Sequence, residues 1–182
     1  MTFVKSSITK SSVANSRSAI ERILRRYGAT GFSVGQKFNE TGDPEGVTIS
    51  FIVPDSPGST ARVPVSLPIN IKHVYDALYG KPSKRVWENN QYVSAFDPNG
   101  YDKKKLPQAE RVAWRNLVLW IDAALSAASV RLQTITEAFF AHTVIQLDNG
   151  SQVRMAEYIE QAQGQLPAGV RALLATPVEV ET

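Results

Sequence analysis

The chain predicts an α+β fold, a three-stranded antiparallel sheet covered by a long C-terminal helix, with an N-terminal basic helix and a short final helix. Three features carry that reading. Trp114, Leu117, Ile121, Leu125, Ala128, Leu132, Ile135 and Phe139 recur every three or four positions, which lays one apolar stripe along a helix. The stretches VTISFIV and ARVPVSL alternate apolar and polar side chains and are rich in β-branched residues, as half-buried strands are. An arginine-bearing amphipathic segment precedes them, and 182 residues suffice for one domain with its own core.

In chain order, residues 1–12 read as a flexible Ser-rich lead, residues 13–165 as the single domain and residues 166–182 as a partly ordered tail. A helix runs from Val13 or Ser16 to about Tyr27, with Ala19, Ile20, Ile23 and Leu24 on its apolar side and Arg17, Arg22, Arg25 and Arg26 on the remainder. Gly28 stops it, because glycine enters a left-handed cap without a Cβ penalty. Strands follow at Gly31–Phe38, Val47–Val53 and Ala61–Leu67, separated by the turn-forming NETGDPEG and PDSPGS. Pro64 lacks an amide donor, so the third strand belongs at an edge or across an irregularity.

INIKHVYDALYG suits a short helix whose Lys72, His73 and Tyr75 are placed either to approach a ligand or to cover a core. Residues 80–106 mix basic, aromatic and turn-forming side chains, and we read them as a loop long enough to serve a function. The principal helix begins near Gln108, after Pro107, and runs to about Arg131, with an extension to Phe140 across a bend. Trp114 and Trp120 are expected as its core anchors. LDNG then marks a turn before the last helix.

Composition excludes several classes of function. There is no cysteine, which removes disulfides, thiolate nucleophiles and cysteine-ligated metal centres. The first residues hold no apolar run of signal-peptide length, and no stretch reaches membrane-spanning length, so a cytoplasmic protein with no membrane partner is expected. His73 and His142, the only histidines, have no serine or acid arranged beside them for proton transfer. The glycines of YGATGFSVG form neither of the common phosphate-binding loops. Asp97 and Asp102 share a loop and Asp122 and Glu137 lie fifteen positions apart, a weak spacing for a shared metal. We therefore assign no catalytic residue, cofactor or metal.

Charge is the more informative property. Residues 1–37 carry seven Lys or Arg against one Glu, whereas residues 116–182 carry three basic and seven acidic residues. Such an asymmetry steers a phosphate backbone to one end. Arg22, Arg25 and Arg26 on the first helix, with Lys81, Lys84, Arg85, Lys103, Lys104 and Lys105 in the middle stretch, supply candidate phosphate contacts. Trp87, Tyr92, Phe96 and Tyr101 are interleaved with the second group, and exposed aromatic faces stack on unpaired bases. The same rings also fit a satellite core or a protein contact.

YGATGF, the strand-rich stretch through RVPVSLP, and the segments AERVAWRNLVLWIDAALSA and EAFFAHTVIQLDNGSQVRMAEYI resemble a poorly characterised family of bacteriophage and mobile-element proteins. Tyr27, Gly28, Gly31, Phe32, Trp114, Arg115, Phe140 and His142 carry the match, over much of residues 18–160. The order of helix, three-stranded sheet and long helix is also similar in outline to Rad52-like single-strand annealing proteins. Taken with the basic and aromatic pattern, which points to single-stranded DNA, these resemblances lead us to expect a phage-associated accessory protein of the infected bacterial cell acting in replication, recombination or repair. They also imply self-assembly into an oligomer and a phage or host replication or recombination protein as partner. The alternative is a small interaction or inhibitor protein acting on a host or phage complex.

Overall fold

The computed structural model describes residues 9–38 and 44–162. Helix α1 spans Val13–Arg26 and opens on Ser12, whose hydroxyl accepts the Asn15 amide. It closes as the sequence predicts. Gly28 takes φ 77°, its N–H donating to the Arg25 carbonyl while Ala29 N–H reaches Leu24, the paired bonds of a Schellman cap.

Strands β1 (Gly31–Phe38), β2 (Pro44–Pro54) and β3 (Arg62–Ile69) then form an antiparallel sheet in that order. Its register places Val34 opposite Ile49 and Ile49 opposite Leu67, so the buried set of each strand shares one face. Pro64 lies on the edge strand β3 with its side chain on the other, exposed face, where a missing amide is tolerated.

Helices α1 and α3 (Leu106–Ser129) cover the buried face side by side. Gln108 Nε2 donates to the Thr9 carbonyl at one end, and at the other Tyr27 Oη lies 3.0 Å from Ser126 Oγ, so the two helices run parallel. Ile20 and Leu24 join Trp114, Val118, Ile121 and Leu125 above Val47, Ile49, Phe51, Val65 and Leu67 in one continuous core. Helix α2 (Ile71–Tyr79), capped by Asn70, packs against α3 as well, which is why α3 buries a wider face than a single stripe predicts.

The long helix is shorter than its apolar spacing suggests. It ends at Ser129, Arg131 turns left-handed at φ 59°, and Thr134 and Glu137 form a capping box that starts a separate helix α4 (Ile135–Phe139). Ile135 and Phe139 still reach the core, but Leu132 stands outside it. Trp120, expected in the core, is half-exposed and sits edge-on to Phe139 and His142.

A short 3-10 turn over Phe140–His142 leads into β6 (Val144–Gln146), which the LDNG turn joins to β7 (Gln152–Arg154) before α5 (Met155–Ala162). Two further strands replace the loop expected at residues 80–106 and are described below. The tail expected at 166–182 and residues 1–8 of the N-terminal lead lie outside the described residues. Among those described, no helix is long and apolar enough to cross a membrane.

Candidate nucleic-acid interface

Residues 80–106 are a hairpin and its anchor. Strands β4 (Ser83–Glu88) and β5 (Gln91–Phe96) pair antiparallel in a ribbon of their own. Asn89 and Asn90, at φ 50° and 63°, make the two-residue turn. Positive φ at both central residues defines a type I′ turn, and asparagine tolerates it better than most side chains.

The register decides which side chains share a face. Ser83 opposes Phe96, Arg85 opposes Ser94 and Trp87 opposes Tyr92, so these six project from one side. Three large rings on that side are open to solvent, Trp87 at 57%, Tyr92 at 70% and Phe96 at 54% exposure. Trp87 and Tyr92 meet edge to face at 4.8 Å between centroids. The opposite side carries Lys84, Glu88 and Gln91 with the half-buried Val86, Val93 and Ala95.

The aromatic face continues onto the body of the protein. Phe96 is 6.5 Å from Tyr101, Tyr101 is 5.1 Å from Tyr75, and Tyr75 is 5.0 Å from Tyr79. Tyr75 is the buried root of this file, and its hydroxyl accepts the Asp102 amide. Ammonium groups lie over the outer rings, Lys72 at 5.3 Å from the Tyr101 centroid and Lys105 at 5.2 Å from that of Tyr79. Burial first, and then the neighbouring Asp76 carboxylate, raise the Tyr101 pKa, so its phenol stays neutral at physiological pH.

Electrostatics here favour an anion. Residues 70–106 hold seven Lys or Arg and four Asp or Glu. Three of those acids have local partners: Asp76 meets Tyr101, Asp97 accepts the Asn99 amide, and Asp102 accepts the Lys104 amide and lies 4.0 Å from the Lys105 ammonium. Lys103, Lys104 and Lys105 precede α3, whose first turn has no acidic residue. Its dipole therefore adds positive potential where three cations already stand.

The arginines of α1 belong elsewhere. Arg25 pairs with Glu21 at 2.6 Å, while Arg26 reaches across to Asp122 at 2.7 Å and lies over the Tyr27 ring. Arg22 is exposed on the same helix. Asp122 lies seventeen positions along the helix from Lys105, roughly 25 Å at about 1.5 Å per residue. The two predicted basic groups thus form separate surfaces. Lys81 stands exposed between α2 and the hairpin, and Lys84 points away from the aromatic face.

Tyr79 is the member of the site that sequence reading missed, whereas Lys72 and Tyr75 were named there. Its i, i+4 spacing from Tyr75 on the short helix was the available signal. No group of three or more His, Asp or Glu side chains able to hold a metal occurs among the described residues.

No protein-family model, curated protein or solved structure matches this chain. Its functional reading rests on the surface chemistry just described.

Proposed function

We propose that the protein binds single-stranded DNA across the β4–β5 hairpin and the lysine-flanked tyrosines beside it, as an accessory factor in replication, recombination or repair. The observation that carries this reading is the exposure of Trp87, Tyr92 and Phe96 together with Arg85 on one face of a self-paired ribbon. Leaving three such rings in water is costly unless a partner covers them. Unpaired bases are suited to that task, because every base offers a π-face and cations nearby hold the backbone. A duplex keeps its bases stacked and paired, so the same rings gain little from it. Several copies along one strand would extend the contact, which makes assembly on DNA part of the proposal.

Fluorescence anisotropy of labelled oligo(dT), a matched duplex and oligo(U) across a salt series tests the reading. The expected result is tighter binding to the single strands, with log K falling against log salt at a slope of about −3 if roughly four cations each displace counterions. Equal affinity for the duplex, or no salt dependence, would overturn it. The oligo(U) arm decides between DNA and RNA.

A further inference from the structure

The N-terminal lead joins the body at the end of α3 where the lysines stand. Thr9 fixes it there: its carbonyl accepts Gln108 Nε2 at 3.2 Å, and its Oγ1 accepts the Ser11 amide. Gln108 is itself held from two sides. Its Oε1 accepts Nε and Nη2 of Arg111, at 2.9 and 2.6 Å, and its backbone amide donates to the Lys105 carbonyl. The Lys105 ammonium in turn lies over the Tyr79 ring. Gln108 thus connects the root of the lead to the lysine-flanked tyrosines.

The lead is cationic. Residues 1–12 contain Lys5 and Lys10 and no acid, and the first acid of the chain is Glu21. Residues 102–111 contain Lys103, Lys104, Lys105 and Arg111 against Asp102 and Glu110. With both acids ionised, the two segments together still set six cations against two anions. Lys10 and Lys103–Lys105 are all exposed. Tying one cationic segment beside another costs repulsion, which an anion lying between them removes. Eight residues precede Thr9, an extended reach of roughly 26–29 Å at about 3.3–3.6 Å each. A six-residue strand such as β4 is only about 20 Å long, so the lead can follow the whole ribbon.

We infer that residues 1–10 are a further part of the nucleic-acid interface, in which Lys5 and Lys10 pair with phosphates of the strand that lies on the hairpin face. The inference rests on that strand binding where it is proposed above. Phosphate is the chemistry this segment selects. A lysine ammonium on a long stem is a point charge with freely turning donors, and a single strand presents a regular row of anions for it to follow. Such contacts carry no sequence information; they hold the backbone while the rings take the bases.

The test compares wild type with the double variant Lys5→Ala, Lys10→Ala and with Gln108→Ala, by anisotropy of labelled oligo(dT) across a salt series and by thermal denaturation. Removing two phosphate contacts from a single strand should make the slope of log K against log salt shallower by about 1.4 and weaken binding at least roughly tenfold at low salt, with Tm unchanged. Gln108→Ala keeps both cations but frees the root of the lead, so affinity should fall about threefold through lost preorganisation while the slope is kept. If wild type binds and the lysine variant matches it in affinity and slope, or Gln108→Ala binds as wild type does, the inference falls while the hairpin reading stands. If wild type does not bind oligo(dT), both fall together. A loss of affinity in the lysine variant matched by a fall in Tm would place Lys5 and Lys10 in the fold instead and overturn the inference as well.

Discussion

Trp87→Ala should separate binding from folding, because the ring stands 57% exposed and its one ring neighbour among the described residues is Tyr92 at 4.8 Å. Losing that aromatic pair costs about 0.5–1.5 kcal/mol locally, and for a chain of this size about 1 kcal/mol moves Tm by some 2–4 °C. Stacking with a base is worth about 1–3 kcal/mol, so affinity for oligo(dT) should fall roughly 5- to 150-fold. Trp114 is the control, buried to 2% exposure in the core, where truncation costs about 3–5 kcal/mol and strikes the fold first. Anisotropy titration with fluorescein-labelled oligo(dT), beside thermal denaturation followed by circular dichroism, reads both quantities. An affinity within twofold of wild type, with Tm intact, would refute the assignment of Trp87 to the interface.

Three further outcomes follow from the same structure. The double variant Lys103→Ala, Lys104→Ala should bind oligo(dT) at least tenfold more weakly with a salt slope shallower by about 1.4, yet melt no lower than wild type, because those cations oppose the α3 dipole; a lower Tm would defeat that electrostatic argument. Asn90→Gly places the preferred residue at the second turn position and should stabilise the hairpin by up to about 1 kcal/mol, read as slower hydrogen exchange at β4 amides with DNA affinity kept. Burial, and then nearby Arg154, depress the His142 pKa below its ordinary 6.5, so the unfolded chain takes up that proton first and His142 lowers stability as pH falls below about 6.5. Glu157, held below its ordinary 4.5 chiefly by its hydrogen bonds with Arg154, adds a further loss as pH falls below about 4.5. Denaturant melts from pH 2 to 8 should show both steps, and His142→Asn should remove the upper one.

The sheet and α1 were legible because each signals with one clear period. Alternation along Val47–Val53 names the buried face of β2, and Ser12 and Gly28 mark the ends of α1 by their capping chemistry. The β4–β5 hairpin was not read, since its rings lie on one side and its aliphatics on the other, so neither face looks apolar against a polar one. Asn89-Asn90 between two six-residue runs was the signal for it. The end of α3 near Arg131 was legible, and only its extension to Phe140 was overread, for the opposite reason. Leu132, Ile135 and Phe139 keep the helical spacing across a break that backbone conformation imposes at Arg131, and Thr134 with Glu137 announces the new start.

The candidate site was legible as a composition and illegible as a shape. Sequence reading named Arg22, Arg25 and Arg26 as phosphate contacts on the first helix and the cations of residues 81–105 as a second basic surface. Arg25 instead pairs with Glu21 four positions away, a spacing visible in the sequence, whereas the partner of Arg26 lies 96 positions on, where only tertiary structure brings it. The aromatic residues fared better, because Trp87, Tyr92 and Phe96 depend on a local register that places all three on one exposed face.

The central claim is that bases stack on the hairpin face, and tryptophan fluorescence tests it most directly. Trp87 is the most exposed of the three tryptophans, against 39% exposure for Trp120 and 2% for Trp114. Titrating oligo(dT) into wild type and Trp87→Phe at low salt should quench wild-type emission in step with binding and leave the variant's emission nearly constant while it still binds. Equal quenching in both proteins, or binding to wild type without any quenching, would contradict the account.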